Sequence, residues 1–342
     1  MEDWLKNVST WGVDRVFVFT DDKSGLAAVS AVDSLRLGPA AGGVRTARYP
    51  DFGAAVTDAC RLARAMTAKC ALGGLAAGGV KTVVWDHGTL DRPRAFSILG
   101  TRIEELRGMI RTAGDLGTTA ADLAAMAETT SYVHLEEADL SRAVARGLRG
   151  CIEAAARMQG RTIDNLHVGV QGAGAIGASV VRELAGAGAR VACADIDASR
   201  VEALADELPV DIMATDRILT AEVDVVCPCA VGGVIDAGIA EQIQAFAVCP
   251  AANNALRGAG VADRLRARGV LLVPDIIGSA GAVIEGIGRT VMGLDDRTPL
   301  IAGLEATAET VLRRSAAEHT DCESLAWTLA SERVGKTLRP IH

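Results

Sequence analysis

The chain has 342 residues, 49% of them hydrophobic, 23% charged and only 3% aromatic. That length exceeds a single small core and suits two domains, and the apolar share is too high for a disordered chain. The 35 basic and 43 acidic residues leave a net charge of −8 with no basic run, which disfavours nucleic acid and anionic membranes and favours a small-molecule partner.

The start, Met1-Glu2-Asp3-Trp4, is acidic and mixed, with no basic patch leading into an apolar run, and no apolar stretch nears the roughly 20 residues that span a bilayer. A cytoplasmic location is expected. Eight scattered cysteines fit reduced thiols. Cys227-Pro228-Cys229 has no companion Cys or His cluster, so buried thiols and no metal are expected there. Few aromatics with abundant Ala, Gly and Val suit helices packed closely on a parallel sheet, an α/β fold.

In chain order, Val16-Phe17-Val18-Phe19, the polar turn Asp21 to Gly25 and Leu26 to Val32 predict a β-hairpin. Helical spacing of apolar residues covers Phe52 to Met66, a short buried strand is expected over Val80 to Trp85, and another helix over Asp91 to Arg107. A long Ala-rich helix over Leu140 to Gln159 leads into a second half in which strand and helix signals alternate. Strands are expected at His167–Gln171, Arg190–Ala194, Val223–Pro228, Ala245–Val248 and Val270–Val273, a βαβ series with a parallel sheet. Ile301 to Leu338 reads as helices. The domains expected are 1–135 and 136–319, with a helix near 320–342 packing back on the first.

The strand His167–Gln171 runs directly into Gly172-Ala173-Gly174-Ala175-Ile176-Gly177 and an apolar helix. This is the G-x-G-x-x-G turn in its proper context: the glycines allow the tight turn, close approach of a pyrophosphate and seating of the helix. The helix N-terminus offers free N–H groups and a positive dipole end to the phosphates. The next strand ends at Asp195, where an acid accepts both ribose hydroxyls and repels a 2′-phosphate, so a Rossmann domain binding NAD is expected. Arg200 is read as a solvated helix arginine.

Three first-half segments look chemical: Gly38-Pro39-Ala40-Ala41-Gly42-Gly43-Val44-Arg45, Met66 to Ala71 with Lys69 followed by Gly78-Gly79-Val80-Lys81-Thr82, and Thr112-Ala113-Gly114-Asp115-Leu116-Gly117-Thr118-Thr119. Two lysines in apolar, Gly-rich surroundings are costly to bury unless each has a role. One can pair with a carboxylate as a point charge; the other, desolvated beside a second cation, becomes a base near neutral pH.

These segments resemble the glutamate/leucine/phenylalanine/valine dehydrogenase family, its leucine and phenylalanine branch above all. The likeness extends through Leu62–Lys69, Pro228 to Ile235, Ala252-Asn253-Asn254 and Pro274-Asp275 through Ala280-Gly281. It implies NAD-dependent oxidative deamination of an L-amino acid to a 2-oxo acid and ammonia, reversible as reductive amination, with the active site in the cleft between an N-terminal mixed α/β domain and a C-terminal Rossmann domain. By the resemblance, Lys69 holds the substrate carboxylate, Lys81 activates water and Asp115 shuttles protons to and from the amino group. Gly42, Gly43, Ala41, Met66, Ala113, Ser279, Val283 and Gly286 line the substrate pocket, and Ile196, Cys229, Ala230, Asn253 and Asn254 join the glycine turn and Asp195 at the cofactor. A homo-oligomer is implied.

Ser279-Ala280-Gly281 stands where the family usually has Asn-Ala-Gly, exchanging an amide for a hydroxyl. Ala41 and Gly286 replace bulkier residues, which predicts a side chain larger than leucine, aromatic or unusual. Glu285 could instead favour a polar or basic one. The five histidines fall outside these motifs. Three rival readings are a catalytically silent nucleotide-binding homologue, a glutamate dehydrogenase proper and another Rossmann oxidoreductase acting on alcohols; the second needs an extra cation that is not evident, and the third a His or Tyr/Lys acid that is not found.

Overall fold

The computed structural model describes residues 10, 12–135 and 139–339. The chain divides into two compact units: the residues up to 135 with Gly286–Asp295 and the segment from Arg333, and Asp139–Glu285 with Asp296–Glu332.

The first unit holds β1 (Arg15–Asp21), β2 (Leu26–Val32), β3 (Ala40–Ala47), α1 (Phe52–Leu72), β4 (Gly78–Trp85), α2 (Arg92–Glu105), β5 (Ile110–Gly114) and α3 (Ala120–Ala127). Its sheet has the order β1-β2-β4-β3-β5. The hairpin β1–β2 and the β2–β4 pair are antiparallel, whereas β3 lies parallel to both β4 and β5. Alternation along the strands sends Val29, Ala31 and Val83 to one face, against Ala55, Val56, Ala59, Cys60 and Ala63 of α1. Leu26, Ala28, Val44 and Val84 face the opposite layer, with Phe96, Leu99 and Ile103 of α2 and Met126 of α3. Asp51 caps α1 by accepting from the Ala54 N–H at 2.8 Å, and Thr119 with Asp122 forms a reciprocal capping box on α3.

The second unit holds α4 (Leu140–Met158), β6 (His167–Gln171), α5 (Ala175–Gly186), β7 (Arg190–Ala194), α6 (Ala198–Glu207), β8 (Val210–Ile212), β9 (Val225–Pro228), α7 (Ala237–Gln242), β10 (Ala247–Val248), α8 (Val261–Ala267), β11 (Leu271–Leu272), α9 (Asp275–Gly278), then α10 (Ala280–Met292), whose last residues belong to the first unit, α11 (Thr298–Glu318) and α12 (Cys322–Val334). Its sheet is wholly parallel, in the order β11-β10-β9-β6-β7-β8. The strand order turns back at β6, so the segment after β6 lies at the switch point where such sheets receive ligands.

The two units depart from the expected domain limits in two places. The 135/136 boundary adjoins residues 136–138, which lie outside the described residues, and Gly286–Asp295 joins the first unit. The last helix does not pack back as a whole: through Glu332 it belongs to the second unit, burying Leu325, Ala326, Trp327 and Ala330. Only the segment from Arg333 returns. Arg333 donates to the Ala71 and Leu72 carbonyls at 3.0 Å each, closing the C-terminal end of α1. Lys336 pairs with Asp14 at 2.9 Å and with the fully buried Asp33 at 3.3 Å, where Arg64 also lies 3.6 Å away.

Candidate active site and nucleotide turn

Strand β4 carries Lys81 on the face that α1 covers, two residues before Val83 of the core and opposite Ala31 of β2. The side chain is almost wholly enclosed, and its Nζ lies 3.0 Å from Asp115 Oδ2, just past the end of β5. Arg45 of β3, in register with Val83, donates from Nε to the same oxygen at 2.8 Å and from a terminal nitrogen to Asp58 of α1 at 3.0 Å. Asp58 is fully engaged, accepting from Tyr49 Oη at 2.7 Å and from Arg61 at 2.8 Å. Burial pulls the Lys81 amine below the ordinary lysine range, against the pull of Asp115 and with help from the Arg45 cation. Burial raises the Asp115 carboxyl, but Lys81 and Arg45 outweigh it and hold it below its usual value. The result is an amine whose proton is loosened beside a carboxylate that is ionised at rest and free to take up a proton, a pairing suited to general acid–base chemistry.

Small residues make that approach possible. The β3–β4 pairing runs Ala40↔Gly78 and Ala41↔Gly79, then resumes at Val44↔Thr82, skipping Gly42 and Gly43. On the other side, Gly42 and Gly43 pair with Thr112 and Ala113. A Cβ on Gly42 would stand 1.8 Å from the Val80 carbonyl oxygen, and one on Gly43 would stand 2.9 Å from Asp115 Cβ. Asp115 therefore reaches Lys81 only over a bare backbone. Gly79 serves the layer behind, since its Cβ would meet the Ala63 carbonyl at 2.1 Å. On α1, Asp58, Leu62, Met66 and Lys69 recur at helical spacing along one stripe. Lys69 is 8% exposed and Met66 is partly buried; Ala41 is buried in β3 and Ala113 partly buried in β5.

In the second unit the turn after β6 has the form its sequence predicts. Gly172 sits at φ +100, and a Cβ on Gly177 would stand 1.8 Å from the Gly172 carbonyl oxygen. Gly174 is the N-cap of α5, has no side-chain cap, and a Cβ there would meet nothing within 4 Å. Open space over uncapped helix N–H groups is what a pyrophosphate needs, so Gly172 to Gly177, with Ala173, Ala175 and Ile176 between, fit such a group. Cys229 and Ala230 lie against the turn: a Cβ on Gly172 would touch Ala230 Cβ at 2.8 Å, and one on Gly177 would reach Cys229 Cβ at 3.4 Å. Asp195, at the end of β7, accepts from the Ala173 N–H at 2.6 Å and the Asp197 N–H at 2.9 Å. Slight burial raises this carboxyl, but the two N–H groups prevail and keep it low. Ile196 beside it is an apolar side chain 96% exposed. Asn254 takes a left-handed φ of +52, fixed by an N–H bond to Asp275 at 2.6 Å and by its carbonyl accepting from Gly233 at 2.7 Å.

Comparison with known proteins agrees with this geometry. Residues 14–132 match the profile of the Glu/Leu/Phe/Val dehydrogenase dimerisation domain, and residues 197–286 match that of glutamate/leucine/phenylalanine/valine dehydrogenase. Leucine dehydrogenase of Bacillus subtilis (strain 168) is 30% identical over 98% of this chain and 95% of its own. The chain belongs to the Glu/Leu/Phe/Val dehydrogenase family. It is thus an oxidoreductase of the amino-acid dehydrogenase type. Phenylalanine dehydrogenase of Thermoactinomyces intermedius is likewise 30% identical over 98% of this chain and 95% of its own. The crystal structure of L-tryptophan dehydrogenase from Nostoc punctiforme superposes with a TM-score of 0.88 at 26% identity, covering 97% of this chain and 98% of that one.

Within this dehydrogenase family framework, several expectations change. Burial acts most on the Lys81 amine, and Arg45 meets the expectation of a second cation beside it. Arg45, Asp58 and Tyr49 were not singled out, because an arginine closing a glycine-rich run looks like solvent-facing charge until β3 is known to be an inner strand. Glu285 is not left for a substrate, since it forms an ion pair with Arg297 at the start of α11. Ser279 caps α9 and turns its hydroxyl back onto that helix, donating to the Asp275 carbonyl at 2.6 Å, with Asn253 Oδ1 3.3 Å from the hydroxyl oxygen. Val283 is partly buried and Gly286 buried along α10. Arg200 pairs with Asp197 at 3.2 Å, both side chains about half exposed. All eight cysteines, Cys227 and Cys229 included, are buried free thiols. Among the described residues no helix is long and apolar enough to cross a membrane.

Proposed function

We propose that the protein catalyses the NAD-dependent oxidative deamination of an L-amino acid to its 2-oxo acid and ammonia, reversibly. The observation that carries this reading is the enclosed Lys81 amine 3.0 Å from an Asp115 carboxylate, with a bare glycine backbone beside them. Lys69 pairs with the substrate carboxylate as a point charge. Bound nicotinamide supplies the acceptor for the hydride leaving the α-carbon. Lys81, as a free amine, takes a proton from the water that attacks the resulting iminium carbon. Asp115 takes a proton from the substrate ammonium before hydride transfer, returns it to the amino nitrogen of the carbinolamine, and accepts the hydroxyl proton as ammonia leaves and the ketone forms. Ser279, Val283, Gly286, Ala41, Met66 and Ala113 shape the side-chain pocket, and Asn253 and Asn254 contact the nicotinamide side.

The small residues at Ala41 and Gly286, together with the likeness to a tryptophan dehydrogenase, support a substrate with a side chain larger than that of leucine. NADH formation across Val, Leu, Phe and Trp at alkaline pH tests both claims. Phe or Trp is expected to give the highest kcat/KM; a preference for Val would end the large-pocket reading, and no turnover with any amino acid would end the deamination reading. The protein acts as a homo-oligomer, supported by the dimerisation-domain match, and its buried thiols suit a cytoplasmic setting.

NAD is favoured over NADP because an ionised Asp195, held by two backbone N–H groups, repels a 2′-phosphate. Asp195→Ala is expected to lower the ratio of kcat/KM for NAD to that for NADP by at least about tenfold, the effect of roughly 1.4 kcal/mol. An unchanged ratio would show that this carboxylate does not choose the cofactor.

A further inference from the structure

Asp115 carries both of its cations on one oxygen. Arg45 Nε donates to Oδ2 at 2.8 Å, Lys81 Nζ lies 3.0 Å from that same atom, and among the described residues Oδ1 accepts no hydrogen bond. The side chain is 27% exposed, so Oδ1 is the oxygen left for a ligand. Arg45 cannot swing away, because its second arm is held by Asp58, whose two oxygens are in turn occupied by Arg45, Tyr49 and Arg61. We propose that Arg45, anchored by Asp58, is a positioning residue that dedicates Asp115 Oδ2 to Lys81 and turns Oδ1 to the substrate's amino group, setting the proton balance of the pair. This rests on the deamination reading and adds a layer to it: two residues that touch neither substrate nor cofactor govern the acid–base pair.

The charges around the pair are few. Asp58, Arg61 and, about three turns on, Lys69 come from α1. Arg45 and Tyr49 come from β3 and the segment after it, Asp115 from the end of β5, and β2 places only Ala31 opposite Lys81. Within this set Arg45 and Asp58 act on Lys81 with opposite signs. Removing the Arg45 charge takes a cation from beside the amine, which then keeps its proton to higher pH. Removing the Asp58 charge takes away an anion, so the amine releases its proton at lower pH. A role confined to holding the fold would not produce shifts of opposite direction.

The test compares pH profiles of kcat/KM for the full-length protein and for Arg45→Gln, Arg45→Lys and Asp58→Asn at saturating NAD, with melting curves to confirm folding. Arg45→Gln is expected to move the limb belonging to Lys81 up by about one pH unit, as loss of a charge within a few ångströms does. Below that limb kcat should fall about tenfold, and Arg45→Lys should restore most of it. Asp58→Asn is expected to move the limb down. Limbs that coincide with wild type, or that move the same way in both variants, overturn the proposal. NMR titration of the Lys81 amine in the same proteins reads these shifts without turnover. An inactive wild type would therefore sink the deamination reading alone, whereas an active wild type with unshifted variants would sink only the role of Arg45.

Discussion

Lys81→Ala is expected to lower kcat by about 10³-fold with little change in substrate KM, since positioned proton transfer contributes on the order of 10²–10⁴. The lost amine is the only group proposed to take the proton from attacking water, so a small soluble amine should restore part of the rate. In the wild type, burial depresses the Lys81 pKa, so activity in the deamination direction rises with pH as the amine loses its proton, at a pH below that of ordinary lysines. That limb is absent from the variant. The sign for stability is the reverse of the usual loss. A lysine whose folded pKa is depressed costs stability wherever it is protonated, with the cost fully present below the folded pKa and vanishing as pH approaches the unfolded value. Removing it therefore relieves a penalty, while Asp115 keeps Arg45 as partner. The melting temperature should stay within a few degrees of wild type, and a rate within threefold of wild type would show that Lys81 is not the base.

Much of this was legible in the sequence because strong patterns coincide with strong structural demands. Strands β6 and β7 run over the residues expected for them, since each is a short apolar run stopped by a turn and buried on both faces. Weak patterns failed for identifiable reasons. Strand β3 is Ala-Ala-Gly-Gly-Val-Arg-Thr-Ala, with a single strongly β-forming apolar residue, yet it is an inner strand because its small residues let two neighbours approach. Strand β8 is three residues at a sheet edge with Ile212 exposed, too short and too open to leave a burial signal. The spans expected at β10 and β11 shrink to two paired residues each. Helix α1 runs six residues past Met66, to Leu72; those residues carry Lys69. The same blindness hid Arg45: its partners Asp58 and Asp115 lie 13 and 70 residues away, and only the packing of α1 on the sheet and the parallel β3–β5 pairing bring them together.

Gly174→Ala and Gly177→Ala are expected to separate two duties within one turn. A Cβ on Gly177 would stand 1.8 Å from the Gly172 carbonyl oxygen and 2.8 Å from its carbon, both backbone atoms of a residue already committed to φ +100. Neither can retreat without opening the β6–α5 turn, so Gly177→Ala should destabilise the protein by about 1–3 kcal/mol and weaken NAD binding about 100-fold. A Cβ on Gly174 would meet nothing within 4 Å of protein, so Gly174→Ala should fold and melt like wild type. Its methyl group would nevertheless occupy the space over the helix N–H groups where a pyrophosphate must come close, and binding should fall about as far, near 2.7 kcal/mol for 100-fold. Calorimetric titration with NAD beside melting curves gives both quantities for each variant. Normal NAD affinity in Gly174→Ala would mean that no phosphate passes over this backbone, and the second unit would then bind its ligand elsewhere than at the switch point of its sheet.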